Sequence, residues 1–351
     1  MKTTKSKTRL ALLGIIAATA LVATACASSS SSTKSSATTS AAAGAASKPA
    51  TMTTVQVGIT SVTAPPTFLP LIASRSGLDA ANNLRIKFVT LTPNVTAQAL
   101  TKGSVDILAA PSVETATLQG APFQVFAGAA LSYWHFVASN SITAWTDLKG
   151  KKIALPCGQA ATCHSFALEL LAAHGVSADS LTFIYSTAQA TFESLAAGSV
   201  DAALTTAPYT YSLKSAGKTK EFDITSSKPY LSTQFTATSA YLKAHPDVIS
   251  AFVTMLIAAK AKLTTLPIDS GVLQTINDYE QANGVDPTTL NQEQFLTEFA
   301  NDKSWQLVPT RALISQDLDL LKAIPEFAST AGNAKFDDLV YMVPEFAGQY
   351  G

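Results

Sequence analysis

From residue 54 onward the chain alternates short strand patterns with short helix patterns, and glycine closes most of the helices. Residues 55–59 form a β run, 68–78 read as a helix closed by Gly77, and 84–89 alternate apolar and polar residues as a strand does. Residues 97–102 then read as a helix ended by Gly103, and 105–109 as the next strand. A βαβαβ order implies a parallel or mixed sheet with helices on its faces. The pattern recurs as strand 152–155, helix 163–174 stopped by Gly175, strand 181–185, helix 190–197 stopped by Gly198, and strand 200–204. Even the wording recurs, because Leu100-Thr101-Lys102-Gly103-Ser104-Val105-Asp106 is echoed by Leu195-Ala196-Ala197-Gly198-Ser199-Val200-Asp201. Each run leads through a strand into a proline loop, at Pro111 and Pro208. Two α/β halves on one plan is the reading. From residue 239 the pattern is helical: 242–266, with His245-Pro246-Asp247 setting its start, then 272–282, 291–299 and 311–323.

The N-terminus predicts a compartment. Lys2, Lys5, Lys7 and Arg9 precede an apolar run over 10–22, the layout of a secretory signal. Ala23-Thr24-Ala25-Cys26 resembles a bacterial lipoprotein processing site, so residues 1–25 are expected to be a signal peptide and Cys26 a lipid anchor. The run is short for a span of ~20 residues, which argues against an uncleaved anchor. Residues 26–53 are Ser, Thr, Ala, Gly and Lys with little else, a composition expected to stay disordered as a tether reaching roughly 30 Å. The whole chain carries 24 basic and 24 acidic residues; removal of residues 1–25 takes four bases and no acid, leaving −4. That balance, with no basic patch, gives no reason to expect nucleic acid.

Two cysteines remain after Cys26. Cys157 and Cys163, an even pair outside the cytoplasm, read as a disulfide. The rivals are a metal site with His164 as third ligand and a cysteine nucleophile. The C-x5-C-H run is not a usual zinc spacing, and neighbours on a helix point apart. No cofactor or metal is expected. The sequence lacks G-x-S-x-G, G-x-G-x-x-G, Walker and H-E-x-x-H motifs, so an enzyme is not expected.

Four segments together resemble one family. They are Asp147-Leu148-Lys149-Gly150-Lys151-Lys152-Ile153-Ala154, the 195–201 run, Tyr241-Leu242-Lys243-Ala244-His245-Pro246-Asp247-Val248-Ile249, and Phe336-Asp337-Asp338-Leu339-Val340. In order and spacing they resemble the NMT1/THI5-like substrate-binding proteins of nitrate, sulfonate, taurine and thiamine-precursor ABC importers. The resemblance implies a two-lobed α/β fold of the periplasmic-binding-protein type II class, with the ligand in a cleft between lobes. It places lobe 1 at 54–137, an inserted lobe 2 at 138–238, and the completion of lobe 1 with C-terminal helices at 239–351. The crossing strands are expected near 136–141 and 234–240. The implied partners are a small ligand, an ABC permease with its ATPase, and the membrane through the lipid; a monomer is expected. The alternatives are a ligand-sensing or adhesive lipoprotein and an enzyme related to pyrimidine synthesis.

Ligands of open α/β sheets bind outside the carboxyl ends of the strands. That rule directs attention to Thr60, Thr63 and Thr67 after the first strand, Asn94 and Thr96 after the second, and Ser112 and Glu114 after the third. In lobe 2 it directs attention to Gly158, Gln159 and Thr162, and to Thr206 and Tyr209. The 158–162 loop feeds a helix N-terminus, which can hold an anion or be capped by Thr162 alone. Tyr133, Trp134 and Tyr185 are candidates to stack on a planar ligand, or to pack as ordinary core. With Glu114 the one obvious charge, a monoanionic or a neutral, polar or aromatic ligand is expected.

Overall fold

The computed structural model describes residues 47–111, 114–159, 161–224 and 229–351. The expected signal peptide, Cys26, nearly all of the tether and Ser112 lie outside these residues. In chain order the first lobe opens with β1 (Thr53–Ile59), α1 (Pro65–Arg75), α2 (Leu78–Ala81), β2 (Leu84–Thr90), α3 (Thr96–Thr101), β3 (Ile107–Pro111), α4 (Glu114–Leu118) and β4 (Phe123–Leu131). The second contains β5 (Trp134–Ser139), β6 (Lys152–Leu155), α5 (Thr162–Ala173), β7 (Thr182–Tyr185), α6 (Ala188–Ala196), β8 (Ala202–Thr206), α7 (Ala207–Ser215) and β9 (Thr219–Phe222). The chain returns through β10 (Leu231–Thr238) and continues as α8 (Ser239–Ala244), α9 (Pro246–Thr264), α10 (Ser270–Ala282), α11 (Gln292–Asn301), α12 (Arg311–Lys322), α13 (Ala328–Asn333) and α14 (Phe336–Leu339).

Two five-stranded sheets result, ordered β2-β1-β3-β10-β4 and β7-β6-β8-β5-β9. In each, the three strands of a βαβαβ unit are parallel and the last two strands lie antiparallel to their neighbours. The shared sequence run does the same work twice. Gly103 and Gly198 take φ of 68° and 72° at the ends of α3 and α6, the left-handed turn that glycine adopts without a Cβ clash. Val105 and Val200 are buried behind them. Asp106 then accepts a bond from Gln56 N (2.8 Å) in the first lobe and Asp201 one from Lys152 N (2.9 Å) in the second, and each aspartate returns its own N–H to its partner's carbonyl. The Gly-Ser-Val-Asp run is thus a device that turns the chain out of a helix and pins it beside the central parallel strand.

Lobe 1 packs α1 and α9 against one face of its sheet. Phe126, Phe235 and Phe252 meet there with ring centroids 5.5–6.4 Å apart, all fully buried. Each such ring contributes about 2–3 kcal/mol by burial. The helix expected over 242–266 is two helices: α8 ends at His245, and Pro246 occupies the first turn of α9, where its missing N–H costs nothing. β4 is backed at its edge by residues 305–307, with Gly128 N donating to Leu307 O at 2.7 Å. A Cβ on Gly128 would lie 2.4 Å from Gln306 O, so only glycine fits there.

The chain does not cross between sheets near 136–141 and 234–240, where crossings are expected. Residues 136–139 belong to β5 and 234–238 to β10, both inside the sheets rather than between them. The chain passes between sheets at 132–133 and again between Phe222 and Leu231. Both strands are flanked by neighbours on two sides and so are almost wholly buried, which erased the alternation that marks an edge strand. The two crossings lie side by side: Ser132 N donates to Tyr230 O at 2.8 Å, and Trp134 Nε1 to Tyr230 Oη at 2.5 Å. Among the described residues no helix is long and apolar enough to cross a membrane.

Candidate functional site

The loops after β1, β2 and β3 face the loops after β6 and β8. Asn94 comes close to Gly158: a Cβ on Gly158 would sit 3.9 Å from Asn94 Oδ1. Between the loops lie two adjoining hollows of about 370 and 30 Å³ that share Thr60, Pro93 and Pro156. The larger is lined by Thr60, Asn94, Thr96 and Thr115 from lobe 1 and by Cys157, Gly158 and Gln159 from lobe 2. The smaller is lined by Thr60, Thr63, Tyr133, Trp134, Thr206 and Thr233, among others. Among the described residues neither is lined by Asp, Glu, Lys, Arg or His.

Thr60, Thr63, Asn94, Thr96, Tyr133, Trp134, Gly158, Gln159 and Thr206 are therefore brought together around one cleft. Thr67, Glu114, Thr162, Tyr185 and Tyr209 line neither hollow. Thr67 is fully buried in α1 and donates to Ser61 O at 2.6 Å. Glu114 is buried in the first turn of α4, where its charge acts on Asp317 of α12. Thr162 does not cap α5; Ala161 holds the cap position, and Thr162 is buried one residue inside. Ser61, Thr115, Thr187 and Thr233 line the cleft without having been singled out. Ser61 and Thr115 are next to the expected Thr60 and Glu114, Thr187 lies two residues after Tyr185, and Thr233 lies on β10, one residue before the crossing strand expected at 234–240.

The lobe-2 wall is braced from behind. His164 Nδ1 lies 2.5 Å from Gln159 O, and Tyr185 Oη lies 3.4 Å from His164 Nε2. Burial holds the His164 pKa below its usual value, so the ring is neutral and Nδ1–H donates to the Gln159 carbonyl. Cys157 and Cys163 flank the same loop with their sulfurs facing and Cα atoms 6.5 Å apart. Among the described residues no three His, Cys, Asp or Glu side chains cluster to hold a metal.

Other contacts join the lobes. Tyr209 Oη and Thr63 Oγ1 share a buried hydrogen bond of 3.1 Å, and burial raises the Tyr209 pKa to about 12. The Tyr209 ring packs with Phe192, Val285 and Leu290. Tyr211 Oη donates to Glu298, and Ser212 Oγ to Thr289 O. Tyr133 stacks on Trp134 at 5.3 Å and meets Phe299 edge-on at 5.6 Å; burial raises its pKa as well. A larger groove of about 710 Å³ runs between α5 and α12, and another of about 690 Å³ lies beside α9. Neither is at the carboxyl ends of the strands, so position rather than size selects the cleft.

Solved structures with the same fold include a protein of Bordetella bronchiseptica RB50 (19% identity, 83% of this chain and 95% of that one, TM-score 0.68). Another is the alkanesulfonate-binding protein SsuA from Xanthomonas axonopodis pv. citri bound to MOPS (19%, 85% and 100%, 0.64). A third is the periplasmic nitrate-binding protein NrtA from Synechocystis PCC 6803 (12%, 85% and 88%, 0.66). These likenesses establish the two-lobed periplasmic-binding-protein fold. No curated protein matches. A family model described as NMT1/THI5 like matches residues 65–267, more than half of the chain, and the chain belongs to that family.

Proposed function

We propose that the chain is an extracytoplasmic solute-binding lipoprotein that closes its two lobes on a small polar or aromatic ligand and delivers it to the permease of an ABC importer. The observation that carries this reading is the 370 Å³ cavity built by post-strand loops of both lobes. A ligand there touches both halves at once and so stabilises the closed arrangement, the state a permease recognises. The fold shared with sulfonate- and nitrate-binding proteins supports the reading. Thr60, Asn94, Thr96, Gly158 and Gln159 are the proposed ligand contacts, with a disulfide between Cys157 and Cys163 fixing the lobe-2 loop. Cys26 is the proposed lipid attachment point, which would keep the lobes near the membrane-bound permease and its ATPase.

The test is a thermal-melt screen of the purified full-length chain against alkylsulfonates, nitrate, bicarbonate, aromatic carboxylates, pyrimidines and flavins. A ligand at 100 times its dissociation constant adds about 2.7 kcal/mol. For a chain this long that raises the midpoint by roughly 4 °C. No shift with the panel or with a broad metabolite extract would overturn the binding reading. Lipid attachment predicts labelling by radioactive palmitate in the producing cell, lost in Cys26→Ala.

A further inference from the structure

We infer that the ligand's buried part is electrically neutral, and that Thr233 and Gln234 on β10 recognise it by hydrogen bonds. This deepens the binding-protein reading and rests on it. β10 runs antiparallel to β3, so its first residues lie at the carboxyl end of the parallel strands, under the cleft. Thr233 lines the smaller hollow and is 1% exposed, yet its Oγ1 has no hydrogen-bond partner among the described residues. Gln234 is equally buried, and both its Oε1 and Nε2 lack partners there. Gln234 pairs with Ala110 across the ladder, and Ala110 lines the larger hollow. Residues directly opposite in a ladder share a face, so the Gln234 side chain leaves the sheet on the side of that hollow. Thr233 thus holds an unpaired hydroxyl in the wall of the smaller hollow, and Gln234 holds two unpaired amide atoms on the sheet face of the larger one. Folded proteins rarely leave buried polar atoms unpaired.

The charge of the surroundings specifies the class. Among the described residues no Lys, Arg or His lines either hollow. Glu114 on α4 and Asp317 on α12 are buried acids close enough to interact, and burial and Glu114 raise the Asp317 pKa. A buried carboxylate or sulfonate needs a paired cation or several donors. The N-terminus of α5 does not substitute. Thr162 is buried outside the hollow, and the N–H groups of Ala161, His164 and Ser165 are already bonded within the turn. A hydroxyl that donates or accepts, next to an amide that does both, suits an uncharged group of mixed character, such as a carboxamide or a ring N–H beside a carbonyl.

Calorimetric titration of the full-length chain with matched neutral and anionic probes tests this. The pairs are benzamide and benzoate, nicotinamide and nicotinate, and methanesulfonamide and methanesulfonate. The expected result is at least tenfold tighter binding of the neutral member of a pair. Thr233→Val and Gln234→Leu should each weaken that binding about tenfold. Both variants should melt no lower than the parent, because replacing an unpaired buried polar group by an apolar one of similar size costs little. Tighter binding of the anion, or neutral binding unchanged in both variants, overturns the inference while leaving the binding-protein reading intact. No binding by any of these probes or by the wider panel overturns both.

Discussion

Glu280 on α10 offers the sharpest quantitative check on the packing beside the cleft. It is fully buried, and Gln292 of α11 donates to its Oε1 at 2.6 Å. Burial raises its pKa to about 8, against about 4.3 for an unfolded glutamate. The group therefore keeps its proton in the folded state at pH values where the unfolded chain has released it. For an acid raised in this way, stability is greatest below the unfolded pKa and declines as pH climbs towards 8. The loss is on the order of 1 kcal/mol at pH 5 and 3 kcal/mol at pH 7. Glu280→Gln keeps an acceptor for Gln292 and removes the ionisation. The variant should melt higher than the parent at pH 7 and much closer to it at pH 5. A difference of about 2 kcal/mol between those conditions corresponds to roughly 3 °C for a chain of this length. Calorimetric melting of parent and variant across pH 5 to 8 reads this directly. Parallel curves, or a variant that melts lower at pH 7, would refute a buried protonated carboxyl.

Three further perturbations probe the architecture. Gly128→Ala forces a methyl against the Gln306 carbonyl and should cost about 1–3 kcal/mol, seen as a lower urea midpoint; an unchanged midpoint would mean that residues 305–307 do not back β4. Tyr209→Phe removes the interlobe bond to Thr63 and should cost about 1 kcal/mol in the melt, with no effect if the lobes do not meet there. Replacing Cys157 and Cys163 together by Ser should cost about 2 kcal/mol, the entropy of so short a closed loop, and thiol counting on the oxidised parent should find neither cysteine free.

β6 was legible to the residue, and α3, α5 and α6 to within two residues, because glycine stops and apolar periodicity are local signals. Likewise the post-strand loops led to Thr60, Asn94, Thr96, Gly158 and Gln159, since the strand-end rule needs only the order of elements. β4 and β10 were not legible as strands of one sheet. Phe123–Leu131 is a nearly continuous buried run that a short helix would match as well, and Leu231–Thr238 is rich in threonine on both faces. Tyr209 has a strand-end address yet packs between lobes, because Val285 and Leu290 arrive from residues about 80 positions later.

What the sequence determined by itself was the repeating unit: two βαβαβ halves, the Gly-Ser-Val-Asp turn that pins each, and the loops that follow the parallel strands. All of these rest on backbone preferences and periodicity within a few residues. Tertiary structure alone decided where the chain crosses between sheets, that Thr233 lines the cleft, and that Glu114 stands outside it, which leaves no Asp, Glu, Lys, Arg or His among the described residues of its walls. Those properties depend on β10 inserting antiparallel between β3 and β4, a pairing that spans about 120 residues of chain, which is set by the packing of both faces at once.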